Sequence, residues 1–152
     1  MATVRDILAK KGSQVWSISG EATVLEAARF MTEHKIGALL VLDGERIAGM
    51  FSERDILQRV VAEGRDPART TVSDVMTVEV ACCTPETSLE EARGAMKNRR
   101  IRHLPVVDSD ERLLGLISIG DLNAFQVAHQ EQTIFHQEQT IFLLNEYLYG
   151  RV

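Results

Sequence analysis

The residues best suited to chemistry in this chain are a serine and an aspartate that occur together twice at the same spacing. Asp55 lies three residues after Ser52, and Asp121 lies three residues after Ser118. In each copy a glycine comes three residues before the serine, and an apolar helical pattern follows the aspartate. A hydroxyl, the free N–H groups of a helix N-terminus and a nearby carboxylate together suit a ribose phosphate.

A purely structural interpretation of these two junctions stays open. Ser-x-x-Asp at the start of a helix is a capping arrangement, which stabilises a helix by roughly 0.5–2 kcal/mol. Against this, Gly49 and Gly115 precede the two serines and let another group approach the backbone closely. The exact repetition of the spacing therefore favours a ligand-binding role.

The elements that must position these residues also occur twice. An order of helix, strand, helix, strand, strand, helix is predicted in each half, with helix starts at Thr23 and Thr87 and a strand at 78–82. A unit of roughly 60 residues is small for an independent core, so the two copies should pack on each other about a pseudo-two-fold axis. The predicted units are residues 1–66 and 67–125.

The C-terminal segment has no counterpart in the first unit. Residues 121–149 contain neither Gly nor Pro, and the seven residues from His129 to Phe135 recur unchanged at 136–142. A seven-residue repeat places its Ile and Phe residues on one stripe of a helix. This predicts a long amphipathic helical extension over 126–152 that requires a partner helix, and hence self-association.

Composition narrows the classes of function. A net charge of −5 over 152 residues argues against binding to nucleic acid or an acidic membrane surface. No apolar run approaches the length of a membrane span, so a cytoplasmic location is expected. Cys82 and Cys83 are adjacent, which excludes a disulfide framework. They are expected to be buried strand residues rather than metal ligands.

Catalysis is not expected from these residues. Ser118, His103 and Asp121 supply the residue types of a hydrolase triad, but the serine and aspartate lie within one helical turn. No Gly-x-Ser-x-Gly elbow, paired catalytic carboxylates or cluster of metal ligands stands out.

Residues 1–125 resemble a tandem pair of cystathionine β-synthase (CBS) domains. The resemblance is carried by Gly49 to Asp55, Gly115 to Asp121, Ile36 to Val41 and Ile101 to Val107, four motifs in register across two repeats. It implies an α/β fold of the α+β type, with two β-α-β-β-α repeats. It also implies a non-catalytic regulatory module that binds an adenine nucleotide (AMP, ADP, ATP or NAD) between the repeats, without a metal, and that forms a homodimer.

The resemblance assigns one set of residues to a first cleft. Asp121 takes the ribose role, Ser118 lies beside the phosphate, and Arg102 with His103 forms the basic pair that meets the phosphates. The remaining residues of this set are Val15, Ile36, Gly37, Ala38, Ile117 and Gly120, with the first four lining the adenine. Two structural alternatives stay open: Arg102 as a solvated cation beyond a helix end, and His103 as a core histidine.

The resemblance assigns a second set to a second cleft. Here Asp55 and Ser52 take the ribose and phosphate roles, and Arg54 adds charge. The base would be surrounded by Met76, Thr77, Val80 and Ile101, with Phe51 beside the junction. Because Gly37 and Ala38 occupy the places of the basic pair, this cleft is expected to lack it. It would therefore suit a monophosphate or remain empty, whereas the first cleft would suit a polyphosphate.

The resulting prediction is a nucleotide sensor that transmits its occupancy to a regulated partner protein. The alternative is a dimeric adaptor with vestigial clefts that acts through its C-terminal helix.

Overall fold

The computed structural model describes residues 1–133 of the chain. Its elements are α1 (Val4–Lys11), β1 (Ser17–Ser19), α2 (Val24–His34), β2 (Ala38–Asp43), β3 (Arg46–Ser52), α3 (Glu53–Asp55), a π-helical segment (Ile56–Val61), α4 (Val72–Val75), α5 (Leu89–Arg99), β4 (His103–Val107), β5 (Leu113–Ser118) and α6 (Ile119–Thr133). The predicted helix therefore continues from the second junction as far as Thr133. Its remainder, with the second heptad copy, lies outside the described residues.

The first repeat contains a three-stranded sheet in the order β1-β2-β3. β1 pairs parallel with β2, and β2 pairs antiparallel with β3 through a turn at Gly44 and Glu45. Gly44 has a φ of +64°, the conformation that such a turn requires. The first four residues of β2 are buried, which is typical of a strand with a continuous apolar run.

The second repeat differs in one strand. The prediction of a strand at 78–82 is wrong, because these residues belong to no strand of the described chain. The pairing that follows them is an isolated bridge between Cys83 and Val106. In the first repeat the N–H of Leu40 donates to the carbonyl of Trp16 at 3.2 Å. Pro105 stands at the position matching Leu40 and has no N–H, so the equivalent ladder bond cannot form.

The two long helices begin at hydroxyl caps. The hydroxyl of Thr23 accepts from the N–H of Glu26 at 3.1 Å, and that of Ser88 accepts from the N–H of Glu91 at 3.1 Å. The second cap is thus Ser88, one residue beyond the predicted Thr87. These caps fix where α2 and α5 begin.

Each repeat completes its core with a helix from the other half of the sequence. Val4 and Ile7 of α1 are buried in the second core, whereas Val72 and Val75 of α4 are buried in the first. The close approach this requires explains both junction glycines. A Cβ on Gly115 would lie 2.8 Å from the Leu8 side chain, and one on Gly49 would lie 2.7 Å from the carbonyl oxygen of Thr77. The repeats are interlocked rather than merely adjacent.

The apolar helical pattern after Asp55 forms a π-helical segment that ends at Val61. The N–H of Ala62 bonds to the carbonyl of Leu57, five residues earlier. From this segment Arg59 donates to the carbonyls of Val75 and Met76 at 3.2 and 2.8 Å. The π segment therefore holds the chain that leaves α4.

Among the described helices, none is long and apolar enough to cross a membrane.

Candidate ligand-binding site

A pocket of about 600 Å³ lies between the two repeats. The first repeat contributes the start of β2, the end of β3 and α3, and the second contributes the extended chain after α4 and the residues after α5. The lining residues are Gly37, Ala38, Met50, Ser52, Glu53, Arg54, Asp55, Thr77, Glu79, Val80, Ala81, Arg99, Arg100, Ile101, Arg102 and His103. The size of the pocket is within the range of small-molecule sites.

The Asp55 carboxylate forms one wall of this pocket and caps α3 at the same time. The Asp55 Oδ2 atom accepts from the Ser52 N–H at 2.9 Å, and the N–H of Asp55 donates to the Ser52 hydroxyl at 3.4 Å. Its Oδ1 accepts from the Thr77 hydroxyl at 3.2 Å. The side chain of Asp55 is only 8% exposed. The Ser-x-x-Asp cap is thus present at this junction, and Thr77 joins the junction to the second half of the chain.

A group of four arginines lies on the pocket: Arg54, Arg99, Arg100 and Arg102. Arg54 reaches across the boundary between the repeats, and its Nη1 donates to the carbonyl of Arg100 at 3.4 Å. The ion pairs found within residues 1–133 involve none of these four guanidinium groups. The lining therefore combines these four arginines with the carboxylates of Glu53, Asp55 and Glu79, and its guanidinium groups offer hydrogen-bond donors to an anion.

The structure regroups the basic residues predicted from the sequence. Arg102 and His103 were expected beside Asp121, and they do lie along the second junction, where His103 pairs with Ser118 and the carbonyl of Arg102 accepts from the Ile119 N–H at 2.9 Å; both residues also line the pocket that contains Asp55. The expectation that the Asp55 cleft lacks this basic pair is therefore wrong. The reason is geometric: β2 and β4 begin at the boundary between the repeats, so Gly37 and Ala38 line the same pocket as Arg102 and His103.

Asp121 belongs to the second Ser-x-x-Asp junction, called the Asp121 corner below. It has a partner that was not predicted from the sequence. The Nζ of Lys11 lies 2.7 Å from the Oδ2 of Asp121 and also donates to the carbonyl of Leu116 at 2.8 Å. The Ser118 N–H donates to the same carboxylate oxygen at 2.8 Å. Burial acts to raise the pKa of Asp121, but these donors outweigh it, so the pKa is lowered. No local pattern links residues 110 positions apart, so the sequence offered no signal for this pair.

His103 lines the Asp55 pocket and is paired with Ser118 across β4 and β5. Burial lowers its pKa, as do the positive charges of Lys11 and Arg102, and the charge of Asp121 opposes them. The imidazole is therefore neutral at pH 7, and one ring nitrogen can accept a hydrogen bond.

This shift predicts how stability depends on pH. Because the folded-state pKa of His103 lies below its ordinary value of 6.5, the unfolded chain binds more protons just below pH 6.5. The free energy of unfolding should therefore rise with pH through that window and level off above it. Denaturant titrations of the native chain and His103→Gln between about pH 5 and 8 measure this, and the rise should be smaller in the variant. Parallel profiles would contradict the prediction.

The other predicted site residues lie in several surroundings. Phe51 and Ile117 are fully buried in the two cores, and Met76 packs against the first core. The pocket lining does contain Gly37, Ala38, Ser52, Arg54, Asp55, Thr77, Val80, Ile101, Arg102 and His103, and does not contain Val15, Ile36, Phe51, Met76, Ile117, Ser118, Gly120 or Asp121.

The two adjacent cysteines lie in different surroundings. Cys83 is buried in the second core as predicted, and burial raises the pKa of its thiol to about 11. Cys82 is exposed, contrary to expectation. Within the described part of the chain, no three His, Cys, Asp or Glu residues are grouped to hold a metal ion.

Two interlocked α/β repeats around a shared pocket define a pseudo-symmetric pair of small domains. The CBS domain model matches residues 3–62 and 72–127, so the chain belongs to the CBS-domain family and carries two copies of the domain. The predicted resemblance and fold class are thereby confirmed.

Individual relatives extend over nearly the same length. The chain is 38% identical over 130 residues to the CBS domain-containing protein YhcV of Bacillus subtilis, covering 86% of this chain and 89% of the relative. A structure of a protein with CBS domains from Burkholderia ambifaria MC40-6 has a TM-score of 0.80 and 40% identity, covering 85% and 96% of the two chains. CBSX2 in complex with AMP has a TM-score of 0.71 at 23% identity, covering 86% and 99%, which concerns the fold alone.

Proposed function

We propose that this protein is a non-catalytic regulatory sensor that binds an adenine nucleotide between its CBS repeats. The observation that carries the proposal is the pocket that joins the Asp55 junction of one repeat to the arginines of the other. A carboxylate can accept hydrogen bonds from a ribose diol, and guanidinium groups bind phosphate oxygens in bidentate geometry. Both types of group lie on the same pocket of about 600 Å³.

The remaining lining suits a purine base. Met50, Val80, Ala81 and Ile101 contribute apolar side chains to the lining of the same pocket. The backbone at Gly37 and Ala38 lies on the same wall and supplies polar groups that can bind the base edge. The AMP bound by CBSX2 makes AMP the first ligand to test, with ADP, ATP and NAD as the other members of the class.

Binding between interlocked repeats offers a route to regulation. Thr77 hydrogen-bonds to Asp55, and Arg59 holds the two carbonyls just before Thr77. A ligand that engages Asp55 therefore acts on contacts that join the two halves of the chain. A nucleotide that binds one arrangement of the repeats more tightly shifts the population toward it, and a partner protein can read that shift. Self-association as a homodimer belongs to the same proposal.

Isothermal titration calorimetry with AMP, ADP, ATP and NAD tests the proposal. At least one should bind, and Arg102→Gln should weaken it by roughly 10–100-fold through a lost charge-assisted contact. Arg46→Gln is the matched control, because Arg46 begins β3 and does not line the pocket. The absence of a measurable heat of binding for all four nucleotides would overturn the proposal.

A further inference from the structure

The strands β3 and β5 hold matching places in the two repeats, but their outer edges are covered differently. In the first repeat the chain that leaves α4 pairs with β3. The Met50 N–H donates to the carbonyl of Thr77 at 2.9 Å, and the Thr77 N–H donates back to Met50 at 2.8 Å. Within residues 1–133, no such bridge covers the edge of β5.

The helix that precedes each edge accounts for this difference. The close contacts to the two junction glycines align α1 with α4, and in this alignment Ala9 matches Thr77. α4 ends at Val75, two residues before Thr77, whereas α1 continues through Ala9 to Lys11. The second repeat therefore has an additional helical turn where the first repeat has extended backbone.

The connection that contains this turn is long enough to unwind. Ile18 of β1 pairs with β2, and Cys83 makes the matching bridge to β4. Ile18 lies nine residues after Ala9, whereas Cys83 lies six residues after Thr77, so the helical turn takes up three additional residues. Residues 9–12 are all exposed, and exposed helix ends are among the segments that open most readily.

The edge of β5 keeps both backbone groups that a bridge would need, at Leu116. The Pro105 carbonyl accepts from the Cys83 N–H at 2.9 Å on the side away from β5, so Pro105 and Leu116 form a non-hydrogen-bonded pair. The N–H and the carbonyl of Leu116 therefore both face outward. The carbonyl accepts from the Lys11 ammonium at 2.8 Å, and the hydrogen bonds within residues 1–133 include no acceptor for the N–H.

The Lys11 side chain thus takes the place of the bridge and also pairs with the carboxylate at the Asp121 corner, 2.7 Å from its Oδ2. Without this ammonium, the Leu116 carbonyl would lose its donor in the helical arrangement. A backbone bridge from Ale9 would supply that donor and an acceptor for the Leu116 N–H together. The side chain at position 11 therefore decides between the two arrangements.

We propose that the last turn of α1 is a two-state element that Lys11 holds in its helical state. In the other state residues 9–11 are extended, and Ala9 bridges Leu116 as Thr77 bridges Met50. Three residues span about 4.5 Å in a helix and about 10 Å in a strand, so unwinding lengthens the connection by about 5 Å. This connection runs from α1 in the second core to β1 in the first sheet, so the turn sets the slack between the two repeats. The device does not depend on a bound nucleotide.

Hydrogen exchange of backbone amides, measured on the full chain by nuclear magnetic resonance, tests the proposal in Lys11→Met. Methionine and lysine have similar helix propensities, so the substitution removes the ammonium without disfavouring the helix itself. The Leu116 amide should exchange at least about tenfold more slowly than in the native chain, since the bridge protects it. A nuclear Overhauser contact should then join Ala9 to Leu116. Adding Ala9→Thr, which introduces the residue type of the bridged edge, should slow the exchange further.

Lys10→Met is the matched control. The Lys10 ammonium lies 5.6 Å from the centre of the Phe125 ring, and its loss should leave the Leu116 exchange rate within about twofold of the native rate. If the Leu116 amide of Lys11→Met keeps its native exchange rate while the amides of residues 9–12 exchange faster, Lys11 only secures the helix end. That result, or an unchanged Leu116 rate in the double variant, would overturn the proposal.

Discussion

Asp55→Ala is expected to lower the free energy of unfolding by about 3 kcal/mol and to abolish nucleotide binding in the pocket. The carboxylate accepts from the Ser52 N–H and from the Thr77 hydroxyl, and its side chain is 8% exposed. Hydrogen bonds to charged groups stabilise a fold by about 1.5–3 kcal/mol each, and their buried donors would lose their acceptor. Urea denaturation and calorimetric titration with AMP measure the two effects.

Asp121→Ala is the matched comparison, because Asp121 holds the same place in the second repeat. Its carboxylate is 24% exposed and its ion pair with Lys11 is partly solvated, so the loss of stability should be about 1 kcal/mol. The Asp55 pocket should still bind AMP in this variant. Equal losses of stability in the two variants would show that the different partners of the repeated aspartates do not matter energetically.

The repeat and its junctions could be predicted because their causes are local. A serine cap with an aspartate three residues later depends on a single turn of helix, and it recurs at both predicted places. The hairpin at Gly44 and the cap at Thr23 are likewise set by neighbouring residues. Patterns of this range are visible in one sequence, so the fold class followed from them.

The composition of the site depends on contacts that local patterns do not contain. Lys11 reaches Asp121 only because α1 crosses into the second core, a packing choice made over the whole chain. The resemblance to CBS domains assigned Arg102 to the cleft of Asp121. In the structure it lines the Asp55 pocket, because the starts of β2 and β4 meet at the repeat boundary. The strand predicted at 78–82 is absent for a different reason, which is that Pro105 has no N–H to donate to it.

The sequence predicts that another group approaches the backbone closely at Gly49. In the structure, that group is the segment of the same chain at Thr77. The Met50 N–H donates to the carbonyl of Thr77 at 2.9 Å, and the Thr77 N–H donates back to Met50 at 2.8 Å. A Cβ on Gly49 would lie 2.7 Å from that carbonyl oxygen and 2.7 Å from the sulfur of Met76. Gly49→Ala must therefore displace a backbone segment that also carries the hydroxyl partner of Asp55.

Gly49→Ala is expected to destabilise the protein by about 1–3 kcal/mol, the usual cost of overpacking a well-packed contact, and to weaken nucleotide binding in the pocket. Gly115→Ala tests the same substitution at the matching position, where the added Cβ meets only the end of the Leu8 side chain. That side chain can rotate away, and alanine restricts the unfolded chain more than glycine does, so the change should be under about 1 kcal/mol. Thermal and urea denaturation of the two variants give the comparison.

A larger loss for Gly115→Ala would contradict the distinction between a backbone obstacle and a side-chain obstacle. Restoration of Gly49→Ala by Met76→Ala would show that the sulfur, rather than the Thr77 carbonyl, sets the cost.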